Sequence, residues 1–167
     1  MEELRMNLSW LSNPEIFQVN RLKAHSSHHY YANEEEKQSS LIHVLDGTWK
    51  FHYANALNEV IDGFEKESYD CSTWDDIQVP SHIQMQGYGT PMYVNQIYPW
   101  SGSEQLLPGE IPEHNPVGSY VTYFDRSILK ENTKTRIVFH GAESGMALWI
   151  NGAFVGYSED SFTPSAF

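Results

Sequence analysis

Gly145 to Tyr157 reads GMALWINGAFVGY. Two apolar runs flank Asn151-Gly152, and these two residues suit the centre of a type I′ turn, where both positions take a positive φ that Asn and Gly tolerate. The stretch predicts an antiparallel hairpin and is the clearest local signal in the chain. Upstream of it, Ser119 to Arg126 (SYVTYFDR) and Thr135 to His140 (TRIVFH) are further short runs of strand character. From Gly47 the pattern has period two, with Trp49, Phe51 and Tyr53 on one face and Thr48, Lys50 and His52 on the other, as a half-buried strand requires. The same alternation assigns Trp49 and Trp149 to the core. Ile77 to Val79 is a short strand stopped by Pro80. Residues 56–68 (ALNEVIDGFEKES) carry a weak helical pattern interrupted by Gly63, and no stretch supports a long helix. Short strands separated by turn signals predict an all-β sandwich or barrel.

The 167 residues suit one domain with a real core. A single cysteine, Cys71, leaves no internal disulfide, and no Cys/His pair has zinc spacing, so a cytoplasmic setting is expected. Met1 to Trp10 has two acids and no apolar core, unlike a signal peptide, and no long apolar run occurs elsewhere. Ten Lys plus Arg face 22 Asp plus Glu, a formal charge of −12. From Glu67 to Asp125 there is no Lys or Arg, against eight acids. Such a surface repels polyanions, which argues against nucleic acid and anionic membrane as partners. A neutral, hydroxyl-rich ligand fits better, since aromatic rings and amides are the usual means of holding one.

Residues 1–40 read as an amino-terminal arm, with a turn at Asn13-Pro14, and residues 41–167 as the β-domain. Six of the eight prolines fall between Pro80 and Pro116, so that stretch is a long, shaped loop region. Several pairs imitate chemistry. His25-Ser26-Ser27-His28-His29 has imidazoles but no acidic or thiol ligand at fixed spacing, and reads as a solvated loop. Glu113-His114 lies in the proline-rich loop, Glu159 and Asp160 follow a strand and should point to opposite faces, and Ser81-His82 lacks an acid at recognisable spacing. No residue of the chain is nominated as catalytic.

Read in order, NPEIFQVNRLKAH from Asn13, LDGTWKF from Leu45, VPSHIQMQGYG from Val79, PMYVNQIYP from Pro91, NPVGSY from Asn115, LWINGAFVGY from Leu148 and SEDSFTPSAF to Phe167 resemble the amino-terminal part of a bacterial glycoside hydrolase family 2 β-galactosidase. The resemblance runs from about Asn13 to the end of the chain. It implies a jelly-roll β-sandwich of the galactose-binding type as the first domain of a longer enzyme that hydrolyses terminal β-D-galactosides such as lactose. It also implies that the sandwich's last strands, the two catalytic glutamates on a (β/α)₈ barrel, and an aspartate that binds sugar and sodium all lie beyond Phe167. No cofactor is expected in this chain; magnesium and sodium ions are implied for the full-length enzyme.

By the same resemblance, Asn95 reaches into the barrel's active site and hydrogen-bonds galactose. An amide both donates and accepts, so it can satisfy a hydroxyl without placing charge beside catalytic carboxylates. From the residues alone, Asn95 reads as closing a turn between Pro91 and Pro99; the substrate role is what the resemblance implies. Tyr93, Gln96 and Tyr98 are weaker substrate candidates, and for Tyr93, Tyr98 and Trp100 packing against the neighbouring prolines is the favoured role. The expected partners are a neutral galactoside, the catalytic barrel of the same enzyme and further copies of the chain in a homo-oligomer. The chain alone is expected to be inactive and to bind galactosides very weakly or not at all. Two other readings remain open: a complementation fragment for a separate catalytic chain, and an autonomous carbohydrate-binding module. The latter needs an aromatic platform distinct from the core, which the sequence does not display.

Overall fold

The computed structural model of the chain describes residues 5–26, 42–92, 98–129 and 131–167. Among them the strands are β1 (Gln18–Val19), β2 (Gly47–Ala54), β3 (Asp75–Val79), β4 (Val117–Val121), β5 (Val138–Phe139), β6 (Met146–Ile150), β7 (Ala153–Ser158) and β8 (Ser165–Ala166), joined by loops and short 3-10 turns. They form sheets of order β1-β7-β6, β3-β2-β4 and β5-β8, with every pair antiparallel. The all-β expectation holds, and the antiparallel sheets are those of a β-sandwich domain.

The hairpin forms where the sequence places it. Ile150 pairs with Ala153, and the turn residues Asn151 and Gly152 take φ of 50° and 80°, as a type I′ turn requires. Further along, Leu148 pairs with Gly156 but Trp149 with Phe154, so Val155 is the extra residue of a β-bulge. A bulge leaves backbone groups without a ladder partner. Here the Val155 carbonyl accepts a hydrogen bond from Asn20 Nδ2 at 2.9 Å.

That bond is one of several that build the amino-terminal segment into the sheet. Gln18 and Val19 pair with Ser158 and Tyr157, and the Leu22 N–H donates to the Ala166 carbonyl at 2.8 Å. The Trp10 ring packs on Phe154 and Tyr157, with centroids 5.8 and 5.6 Å away. Backbones approach so closely here that a Cβ on Gly156 would stand 2.4 Å from the Phe167 ring and 2.8 Å from the Val19 carbonyl oxygen. Only glycine fits. Residues 1–4 and 27–40 of the expected arm lie outside the described residues.

Phe51 and Ile77 are buried in the β3-β2-β4 sheet, and Tyr157 and Ala166 are buried in β7 and β8. Trp49 and Trp149, expected in the core, are only half-buried. The reason is visible for Trp49, whose Nε1–H donates to the Leu45 carbonyl at 2.8 Å; a large ring with a polar edge settles where that edge finds a partner. Residues 56–68 form no helix beyond a 3-10 turn at Leu57–Glu59. Their packing explains why: Phe64 lies against Trp74 (5.8 Å), just before β3, and Trp149 (5.9 Å) of β6. Tertiary burial of one aromatic outweighs a weak helical propensity.

Candidate functional site

The loop region between β3 and β4 holds the predicted site residues. Its near flank is fixed first. The 3-10 turn Ile83–Gln86 ends on Gly87, in the left-handed region at φ 96°, and the chain then presents Tyr88 to β2 and β3. The Tyr88 hydroxyl donates to Asp75 Oδ2 at 2.8 Å, and its ring packs edge-on against Phe51 at 4.7 Å and lies 5.8 Å from that of Tyr53.

The far flank is a network of backbone groups around two carboxylates. Ser101 exchanges hydrogen bonds with Tyr98, its N–H donating to the Tyr98 carbonyl at 2.9 Å and its hydroxyl accepting from the Tyr98 N–H at 3.1 Å. The Trp100 carbonyl accepts from the N–H groups of Ser103 and Glu104, each at 3.0 Å, and from the Ser103 hydroxyl at 2.8 Å. Glu104 then reaches across the loop and accepts from the N–H groups of Glu113 at 2.9 Å and His114 at 3.2 Å. Glu110 accepts from the Leu107 N–H at 2.8 Å. A segment too rich in proline for ladder bonding thus satisfies its backbone donors with side-chain carboxylates. Glu104, Gln105, Leu106, Glu110, Ile111 and Glu113 line a shallow cavity of 570 Å³ on this flank.

Between these flanks, Tyr93, Asn95 and Gln96 lie outside the described residues. Tyr98 is described. The residue is 67% exposed, and its ring stacks flat on Trp100, with centroids 4.9 Å apart and planes inclined by 3°. Glu104 is the residue that sequence reasoning missed, and nothing in its neighbours marks it, because its partners lie nine and ten positions away.

The imitations of catalytic pairs have structural roles. Ser81 donates to the Gln78 carbonyl at 2.6 Å. Glu113 and His114 are held through their backbones, with both side chains exposed. Glu159 accepts from the buried Tyr157 hydroxyl, and burial, with Glu159 beside it, raises the tyrosine's pKa well above its ordinary value. Asp160 accepts from the Thr163 hydroxyl and from the N–H groups of Phe162 and Thr163 at 2.9 and 3.0 Å. It also pairs with Arg21 at 3.0 Å. These bonds, the Thr163 hydroxyl foremost, hold its carboxyl well below the usual carboxylate range. Among the described residues no three His, Cys, Asp or Glu side chains form a group that could hold a metal ion. Nor is any of their helices long and apolar enough to cross a membrane.

Comparison with known proteins supplies the family. Residues 42–167 match the model of the glycosyl hydrolases family 2 sugar binding domain. The chain is 53% identical over 166 residues to a β-galactosidase of Halalkalibacterium halodurans, covering 96% of this chain and 16% of that protein. It is 46% identical to a β-galactosidase of Clostridium acetobutylicum, covering 96% of this chain and 18% of the relative. It is 41% identical to a β-galactosidase large subunit of Leuconostoc lactis, covering 98% and 29%. The chain therefore spans less than a third of the length of these relatives. With the antiparallel sheets, the ordered loop flanks and a match over most of its residues, the chain belongs to glycoside hydrolase family 2 and carries that family's sugar-binding domain.

Proposed function

We propose that the chain serves as the non-catalytic, amino-terminal jelly-roll domain of a cytoplasmic β-galactosidase, completing the galactose subsite of a catalytic barrel with Asn95 and helping subunits to assemble. The observation that carries this reading is the family match over residues 42–167, to which the β-galactosidase names of the relatives give a substrate class. The chemistry of the loop agrees with it. Its flanks are anchored at Tyr88 and at Tyr98 to Glu104, and the stretch from Glu67 to Asp125 holds eight acids and no Lys or Arg, which disfavours an anion and leaves a neutral sugar unopposed. An amide at position 95 takes one hydroxyl as donor and acceptor together.

The test joins this chain to the remainder of the Halalkalibacterium halodurans enzyme, in place of that enzyme's matching segment, and follows hydrolysis of a chromogenic galactoside. The joined protein hydrolyses it, the chain alone does not, and Asn95→Ala lowers kcat/KM about tenfold or more, the scale of one lost hydrogen bond with its partner left unsatisfied. Full activity in Asn95→Ala removes the subsite role. A second reading, a fragment that complements a separate chain, draws on the Leuconostoc lactis relative being named a large subunit. It requires activity to appear when the two pieces are mixed unjoined.

A further inference from the structure

We propose that Phe162 is the anchor by which this domain docks onto the part of the enzyme that follows it, seating its ring in an apolar hollow there. The proposal rests on the reading of the chain as the first domain of a longer β-galactosidase, and it adds a contact surface distinct from the loop between β3 and β4.

Phe162 is 98% exposed, although the turn that carries it, between β7 and β8, is tied down at every step. Asp160 Oδ1 accepts the N–H groups of Phe162 and Thr163 at 2.9 and 3.0 Å. Asp160 is itself held by the buried Arg21, whose Nη2 also donates to the carbonyls of Thr163 and Pro164 at 3.3 and 3.1 Å. The two ends of the turn meet at the buried residues Ser158 and Ser165, joined by a hydroxyl–hydroxyl bond of 2.9 Å. The backbone thus holds the ring out in water on a fixed base. An aromatic side chain presented in this way loses little conformational entropy when a partner covers it, which is how a few rings come to dominate a contact. Phe17 stands at the start of the same turn, exposed as well, with its carbonyl accepting from the Glu159 N–H at 3.0 Å.

The surroundings select the partner. Asp160 pairs with Arg21 and Glu159 accepts from the buried Tyr157 hydroxyl, so both acids of the turn are directed to partners inside the chain. A phenyl ring with no free charge beside it gains by burial against an apolar surface, and a contact's core is where charge is depleted. The length of the relatives bears on which surface that is. The match takes in 16% of the Halalkalibacterium halodurans enzyme and 18% of the Clostridium acetobutylicum one, so most of such an enzyme lies outside the matched segment. On the reading proposed above, that part follows Phe167, five residues after Phe162, and therefore starts within about 18 Å of it. A second copy of the chain is the poorer occupant, because a net charge of −12 opposes contact between like molecules.

Hydroxyl-radical footprinting reads the covering of the ring directly. Oxidation of Phe162 is followed by peptide mass spectrometry in the chain joined to the remainder of the Halalkalibacterium halodurans enzyme and in the chain alone, the latter in dilute solution at low salt, where its charge keeps copies apart. Phe162 is labelled in the chain alone and severalfold less in the joined protein. Phe162→Ser lowers the thermal midpoint of the joined protein by a few degrees and leaves that of the chain alone unchanged, while Phe162→Leu, which keeps an apolar side chain, retains most of the parent's midpoint. Equal labelling of Phe162 in the two proteins overturns the anchor, and so does a Phe162→Ser variant that unfolds with its parent in both. Labelling that falls as the chain alone is concentrated, and not on joining, gives the ring to a second copy and overturns the proposal as well. Galactoside hydrolysis by the same joined protein separates this inference from the function it rests on: an active protein with Phe162 unprotected loses the anchor and keeps the function, and an inactive one with Phe162 protected does the reverse.

Discussion

At the scale of single residues, the strongest polar cluster of the chain serves the fold rather than chemistry. The side chain of Arg21 is 3% exposed, and its Nη2 donates to Asp160, to the hydroxyl and carbonyl of Thr163, and to the Pro164 carbonyl. It ties the amino-terminal segment to the loop before β8. Arg21→Ala leaves those acceptors without their donor and should cost about 2–4 kcal/mol, read from denaturant midpoints. Asp160 adds a pH dependence whose sign follows from its depressed pKa. A carboxylate lowered on folding contributes stability above its unfolded value, about 4, and that contribution is lost as pH falls from there through the depressed folded value. Asp160→Asn should therefore lower stability at neutral pH and flatten its decline on acidification; an unaltered acid profile would show that the cluster does not set it. Neither role was legible beforehand. Arg21 and Asp160 are 139 positions apart, and Glu159-Asp160 presents itself in sequence only as two adjacent acids.

At the scale of elements, what was legible is what is local. The turn Asn151-Gly152 declares itself because positive φ restricts the residue types, and period two in β2 declares itself because one face is buried. β1 has no such signature. Two residues form it, and they are a strand because β7 offers them an edge and because Asn20, itself at φ 57°, meets the bulge carbonyl of Val155. Likewise the site loop announced itself by prolines, while the two carboxylates that order its far flank are recognisable only once folded. The turn can be tested apart from its surroundings. A Cβ on Gly152 meets only ordinary contacts at 3.8 Å, so Gly152→Ala pays for backbone strain alone, about 1–2 kcal/mol. At Gly156 the same substitution meets the Phe167 ring and the Val19 carbonyl and should cost more, with β1 released from β7. Amide exchange at Val19 and Leu22, compared between the two variants, checks that difference: protection falls in Gly156→Ala and persists in Gly152→Ala.

At the scale of the whole molecule, the balance between buried and exposed apolar side chains bears on how the chain lives. Among the described residues the buried apolar set is Phe51, Ala54, Cys71, Trp74, Ile77, Tyr157 and Ala166, whereas Val44, Met85, Leu107, Tyr123 and Phe162 are each 70% or more exposed. Water-facing apolar side chains such as these favour association where they gather in a patch, and sheet edges among the described residues add donors and acceptors for another strand. The net charge of −12 opposes self-association, and salt screens that repulsion within about 10 Å at 0.1 M. Light scattering on the chain alone should therefore find dimers or larger species, growing as salt is raised, because screening removes the repulsion while leaving the apolar attraction. Joined to the remainder of a β-galactosidase relative, the same chain should unfold at a higher temperature, since binding partners that cover these side chains stabilise only the folded state. A monomer that persists at high concentration and high salt would mean that the exposed side chains do not drive contact between copies, and the assembly role would then rest on the catalytic part alone.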